Sequence, residues 1–219
     1  MALEKSLSFL TELNENNDRD WMQDNKPAYQ DARNEFIAFV SELIPSIAEF
    51  DSGIVGLDPK KSVFRINRDI RFSKDKRPYK NNFGVLMSEG GKKSGNAGYY
   101  LHLQPGDQSF VAGGVYAPDA ERLAKVRQEI DYNPEELKQI TSDKEFVERF
   151  GVIQGESLKR APKGYDESHP NIDLIKLKSF IVLKRLTDKE VKGWSSHKDC
   201  VKYFSTVHPF IQYLNVALS

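Results

Sequence analysis

A single cysteine, Cys200, among 219 residues leaves the chain no internal disulfide, so packing and hydrogen bonding must hold the fold. No run of apolar residues approaches the ~18 that a membrane-spanning helix needs, and the mean hydropathy is -0.58. An excess of charge is missing too: 32 Lys and Arg balance 32 Asp and Glu. That balance excludes a histone-like polycation and confines any basic site to a local patch. The four histidines, His102, His169, His197 and His208, lack a short ligand spacing such as His-Glu-x-x-His, and one cysteine cannot build a zinc ribbon. No metal or cofactor is called for. Gly90-Gly91-Lys92-Lys93-Ser94 fails the Walker spacing, and no Gly-x-Ser-x-Gly elbow occurs. Repeats and low-complexity tracts are also missing. The opening residues, Met1 to Ser8, show no basic region followed by an apolar stretch, which predicts a cytoplasmic protein with no signal peptide and no membrane association.

What is present suits a globular chain: 39% apolar and 29% charged residues, at a length expected for one domain over 1–219 that buries about 70% of its unfolded surface. The first third is helical in pattern. Leu7, Leu10 and Leu13 recur at three-residue steps, and Asn16-Asn17-Asp18 supplies a stop and a new N-cap. Pro27 then suits a first helical turn, and Tyr29, Ala32, Phe36, Val40, Leu43 and Ile47 form one stripe that Pro45 should kink or end.

From residue 62 the period becomes 2. Phe64, Ile66, Ile70 and Phe72 share one parity while Arg65, Asn67, Asp69 and Arg71 share the other, which predicts a strand with an apolar and a polar face. Further strands are expected over 81–87, over 99–104 where Tyr99, Leu101 and Leu103 alternate against Tyr100, His102 and Gln104, and over 108–115 after the Pro105-Gly106-Asp107 turn. Helices resume at Pro118 and Asn133, and a third should start at Ser142, which has capping-box spacing to Glu145 and ends at Gly151. After an irregular stretch over 152–170 comes a strand over 179–186, then a second capping box, Thr187 with Glu190. A last helical segment from Ser196 should be interrupted at His208-Pro209. Strands clustered centrally between helices predict a single α+β domain with a central antiparallel or mixed sheet flanked by N-terminal and C-terminal helices.

One segment departs from the balanced background. Residues 60–80 hold nine cations, Lys60, Lys61, Arg65, Arg68, Arg71, Lys74, Lys76, Arg77 and Lys80, against two acids, Asp69 and Asp75, a local excess of seven. Arginine's planar fork matches phosphate or carboxylate oxygens two at a time, and an aspartate beside it fixes its orientation while leaving other donors free. The expected ligand-binding set is Arg65, Arg68, Asp69, Arg71, Lys74, Asp75, Lys76, Tyr79 and Lys80. Arg65, Arg68 and Arg71 are the primary donors in this reading, although parity turns Arg68 toward the other face. The plain alternative is a solvated strand edge whose charges discourage aggregation.

Residues Phe64 to Lys80 resemble the signature of a bacterial protein family known as domain of unknown function 2461. The block from Asn16 to Trp21 with Lys26 and Tyr29, the block from Gly113 to Pro118, and the block from Pro162 to Asp166 with His169-Pro170 resemble that family's other motifs. Met22 stands where the family often has Phe, a change in packing. The resemblance implies one domain along the chain and no particular activity.

Three readings of function follow. The first is a cytoplasmic protein that binds an anionic, phosphate- or carboxylate-bearing small molecule through the arginine-rich strand and turn. The second is an enzyme acting on such a ligand, with Asp75, Asp166 or His169 as proton carriers, His169 and Asp166 forming a base and its orienter. The third makes segment 60–80 a protein or nucleic-acid interface, against which neutral net charge argues where duplex DNA is concerned. Gly113-Gly114 is either a place for a ligand to approach the backbone or a close contact with a packed helix. Cys200 reads as a buried small hydrophobe. Nothing in the sequence specifies an oligomeric state.

Overall fold

The computed structural model describes residues 2–219. Among them, ten α-helices accompany a four-stranded antiparallel sheet, an α+β fold with helices at both ends of the chain. The strands are β1 (Phe83–Ser88), β2 (Gly98–Leu103), β3 (Ser109–Val115) and β4 (Phe180–Leu186), and each neighbours the next in sequence, a meander. The chain divides into two compact units: one takes the chain through Met87 with Tyr100–Val111 and Arg185–Lys202, the other Ser88–Tyr99, Ala112–Lys184 and Tyr203–Ser219.

The first unit is built on α1 (Glu4–Glu15), α2 (Arg19–Asp24) and α3 (Lys26–Ala48). Leu7, Leu10 and Leu13 are buried as their spacing requires, and so are Ala32, Phe36, Val40, Leu43 and Ile47 of α3. Leu3, the N-cap of α1, provides no side-chain cap. Glu35 of α3 supplies one instead: its carboxylate accepts from the Ser6 amide at 2.7 Å, the Ser6 hydroxyl at 2.7 Å and the Lys5 amide at 3.3 Å. Free amides at a helix start are thus satisfied from a neighbouring helix, which also fixes the register of α1 on α3. Asp18 caps α2 by accepting from the Trp21 amide, as the polar Asn16-Asn17-Asp18 stop predicts. Pro45 lies inside α3, which runs on to Ala48. The proline therefore sits near the end without terminating the helix. The unit also contains α4 (Pro59–Ser62), capped by Asp58, and α9 (Asp188–Gly193), whose Thr187–Glu190 capping box is complete.

The expected strand over 62–72 does not form. The segment contributes only isolated antiparallel bridges, Val63 with Val85 and Asn67 with Tyr79. Ile66 is buried, but Phe72 is 95% exposed. The cause is local: the Asp69 carboxylate accepts from the Arg71 amide and Asp75 from the Arg77 amide, so side chains take donors that a ladder would use.

The second unit contains α5 (Ala120–Tyr132), α6 (Pro134–Ser142), α7 (Lys144–Phe150), α8 (Ile172–Ile175) and most of α10 (Lys198–Leu218). Gly151 ends α7 in a positive-φ conformation, as expected. The cap at its start is shifted by one residue from the expected Ser142: Asp143 accepts from Phe146, while the Ser142 hydroxyl bonds back to Gln139. The predicted interruption at His208-Pro209 is absent, and Pro209 sits within a continuous α10. A mid-helix proline costs about 3 kcal/mol. Phe204, Val207, Phe210, Ile211 and Leu214 are all essentially fully buried, at about 1.5–3 kcal/mol each, which outweighs that cost.

Gly113 and Gly114 belong to this core. A Cβ on Gly113 would lie 2.7 Å from a Val207 methyl, and one on Gly114, whose φ is +126°, would collide with the Phe180 carbonyl oxygen. The pair thus serves close packing against α10 and β4, the second of the two readings the sequence left open. Gly114→Ala should cost about 3 kcal/mol or more, from strain plus overpacking. Gly91→Ala, at φ +80° with open space around it, should cost about 1–2 kcal/mol. Urea denaturation of the two variants checks the difference.

Candidate functional site

The basic segment folds as an irregular hairpin in the first unit. Its base is tied by the Arg68 amide donating to Pro78 O at 2.9 Å and the Lys80 amide to Ile66 O at 2.8 Å. Asn17, in the turn between α1 and α2, clamps the outer side: its Oδ1 accepts from the Tyr79 amide and its Nδ2 donates to the Tyr79 carbonyl, both at 3.1 Å. One side chain here copies the two-way pairing of a β-bridge. Below it, Trp21, Phe9, Tyr29 and Phe83 form a chain of ring contacts with centroids 5.7–6.5 Å apart. Burial raises the Tyr29 pKa, with Arg33 and Tyr79 close enough to act on it.

Beyond the base, one device occurs twice. Asp69-Ile70-Arg71 and Asp75-Lys76-Arg77 are Asp-x-Arg units in which the carboxylate accepts from the backbone amide two residues on and grips the same residue's guanidinium. Arg71 Nε and Nη2 reach Asp69 at 3.0 and 2.7 Å, and Arg77 Nη2 reaches Asp75 at 2.7 Å. Asp75 also takes Arg68 Nη1 at 2.6 Å, so this carboxylate joins the two arms of the hairpin. Arg68, the most enclosed of these arginines, completes its contacts with Arg77 O and the Ser73 hydroxyl, both at 3.4 Å. The Arg77 and Arg68 donors hold the Asp75 carboxyl far below the ordinary carboxylate range, and Arg71 lowers Asp69 in the same way, with Arg65 adding a weaker pull.

The cations are not exhausted by these contacts. Each guanidinium has five N–H donors, and Asp69 takes two from Arg71 while Asp75 takes two from Arg77, leaving three on each. The Arg71 and Arg77 side chains are 76% and 52% exposed. Lys76 donates to Ile70 O and Lys80 to Arg65 O, with the Lys80 ammonium 5.7 Å from the Phe64 ring centroid. Arg65 and Lys74 are exposed. Of the expected set, Arg68, Asp69, Arg71, Asp75, Lys76 and Lys80 therefore share one hydrogen-bonded hairpin, and Tyr79 anchors it through its bridge to Asn67 and its bonds to Asn17. Two residues outside that set shape it, Arg77 and Asn17, and a third, Phe72, stands exposed beside Arg71. The repeated Asp-x-Arg spacing was the readable signal for Arg77.

A family model described as a conserved hypothetical protein, DUF2461, matches residues 5–213. The chain belongs to this family. No curated protein and no solved structure matches the chain. Of the blocks that resemble the family's motifs, the N-terminal one supplies the Asn17 clamp and the Asp18 cap, and the central one holds the tightly packed glycines.

The C-terminal block lies in the second unit and does not pair as its sequence suggests. His169 Nε2 meets Asp131 of α5 at 2.9 Å, while its Nδ1 accepts from the Asn171 amide at 3.1 Å. Accepting at Nδ1 puts the ring proton on Nε2, so both nitrogens are engaged. Asp166, the expected partner, binds Ser168 instead, and that hydroxyl lowers its pKa. Tyr165 stands edge-on to His169 at 5.9 Å, and Arg127 donates to Ile175 O and Leu177 O. Cys200 is buried, which raises its thiol pKa, in keeping with the hydrophobe reading. Among the described residues no group of three or more His, Cys, Asp or Glu side chains is placed to hold a metal ion. None of their helices is long and apolar enough to cross a membrane.

Two outcomes test this geometry. Asn17→Ala removes both Tyr79 bonds and should cost about 1 kcal/mol, with faster hydrogen exchange at Tyr79 and Lys80. Because the folded pKa of Asp75 is depressed, its ion pairs contribute fully above the unfolded carboxylate range near pH 4 and are lost only as pH falls through the lower folded value. The Arg77 Nε–H resonance in NMR should therefore stay slow to exchange at about pH 3, and Asp75→Asn should release it at neutral pH.

Proposed function

We propose that this protein binds a phosphate-rich polyanion through the hairpin of residues 64–80. The observation that carries the reading is the double Asp-x-Arg device. Each aspartate pins one edge of a guanidinium and leaves the other donors of an exposed, oriented side chain to a ligand. Preorganised arginines lose less rotamer freedom on binding than free ones. Two acids among the seven cations of residues 64–80 leave an excess of five, which favours a ligand with several phosphates over a single carboxylate.

The exposure of the hairpin favours a polymer lying across it over a small molecule held in an enclosed cleft. A cleft of about 510 Å³ in the same unit is lined by Ile44, Pro45, Ala48, Val55 and Leu57 among others, and by none of the nine basic residues. Proton transfer finds little support in the groups considered for it. Asp75 is held ionised by two guanidinium groups, and both His169 nitrogens are engaged. A cytoplasmic setting, where phosphate polymers abound, is part of this reading.

Inorganic polyphosphate is the probe that tests it. Binding by isothermal titration should weaken steeply as salt rises. Arg65→Ala and Arg71→Ala should each lower affinity by about 1 kcal/mol, roughly fivefold, the modest figure suited to exposed contacts. Both variants should keep the wild-type Tm. A falling Tm with unchanged affinity would make the arginines structural.

A further inference from the structure

We infer that the polyanion is a single-stranded nucleic acid, with a base stacked on Phe72; this rests on the polyanion reading and names its ligand. Phe72 is 95% exposed, the most exposed of the large apolar side chains. A lone surface hydrophobe ordinarily means little, because folded proteins expose much apolar surface. The position of this one is informative. It follows directly on Arg71, whose guanidinium carbon lies 5.8 Å from the ring centroid, and it precedes Ser73 and Lys74 in the part of the hairpin beyond its tied base. The ring thus lies beside one guanidinium, two residues before Lys74 in sequence, on an arm whose base is clamped.

A second aromatic point lies at the foot of the same segment. Phe64 is 36% exposed, stands edge-on to Tyr100 at 6.2 Å, and has the Lys80 ammonium near its ring. Tyr100 in turn contacts Phe110 at 5.7 Å, and His102 stacks on Phe110 at 4.5 Å. Gly84 makes room for this arrangement, since a Cβ there would lie 2.6 Å from the Tyr100 hydroxyl.

Rings alternating with oriented guanidinium and ammonium groups match a chain in which flat bases alternate with phosphates. Inorganic polyphosphate has no flat face and would make no use of Phe72. Duplex DNA offers its phosphates but keeps its bases stacked inside, and a molecule of zero net charge lacks the extended field that non-specific duplex binding requires. An anionic membrane would accept one phenyl ring and the cations, but it would leave the aromatic point at the foot of the hairpin without a role. A single strand engages both.

The test measures fluorescence anisotropy of a labelled mixed-sequence RNA single strand, its DNA equivalent and its duplex, and co-sedimentation with phosphatidylserine vesicles. The proteins are wild type, Phe72→Ala, Phe72→Trp and Arg71→Ala. Single strands should bind best. Phe72→Ala should weaken them about tenfold with an unchanged salt slope, Phe72→Trp should restore affinity and show emission quenching on binding, and Arg71→Ala should reduce the salt slope. Equal affinity of wild type and Phe72→Ala for single strands, or tighter binding to duplex or vesicles, overturns the assignment. If polyphosphate binds with the expected arginine dependence while single strands show none on Phe72, the nucleic-acid inference fails and the polyanion reading stands. If neither ligand binds, both fall.

Discussion

The Asp75 carboxylate is the contact on which the shape of the basic hairpin depends. It receives Arg77 from its own arm and Arg68 from the other, in a stretch where the backbone provides only a bridge at Asn67–Tyr79 and adjoining bonds at the base. Two guanidinium groups that share one carboxylate attract it more than they repel each other, since each N···O approach is under 3 Å and water screens the longer cation–cation separation. Without that shared anion the arms would carry like charges with little to hold them together. Asp69 repeats the arrangement within one arm only, so it orients Arg71 without closing the hairpin.

The rest of the first unit acts as a mount for this element. Asn17 transfers the position of the α1–α2 turn to Tyr79. That turn is placed by α1, and α1 is fixed on α3 by the Glu35 contacts with Ser6. A continuous path of hydrogen bonds therefore leads from the longest helix of the unit to the base of the hairpin. The aromatic contacts from Phe9 to Phe83 fill the space beneath it. An exposed loop on such a mount presents its side chains with less entropy to lose than a free loop.

Regular elements were legible because burial and period coincide in them. The α3 stripe and the alternation of Tyr99, Leu101 and Leu103 with Tyr100, His102 and Gln104 each follow one period, and each was expected where it occurs. The basic composition of segment 60–80 was equally plain. Its conformation was not, because the alternation of Phe64, Ile66, Ile70 and Phe72 satisfies a strand pattern while two aspartates divert the amides a strand would need. His169 illustrates a different limit: its partner Asp131 lies 38 positions away on α5, whereas Asp166 is a near neighbour in sequence. At Pro209 a local rule gave way to tertiary burial, as happens wherever the flanking residues bury more than the local defect costs.

The neutral total charge gives the local excess its character. A uniformly basic protein attracts any polyanion from a distance, whereas here the field of seven surplus cations is opposed by the rest of the molecule and fades within a Debye length of about 8 Å at physiological salt. For the proposed ligand, attraction would become appreciable only near the hairpin, at which range the orientation of Arg71 and Arg77 and the exposed face of Phe72 would bear on the outcome. On the proposed reading, short reach and fixed donors together would shift discrimination from net charge to the spacing of charge and ring along the partner. On the same reading that would be a more selective criterion than a polycation can apply, and it would follow from placing seven cations and only two acids on a clamped hairpin of an otherwise balanced chain.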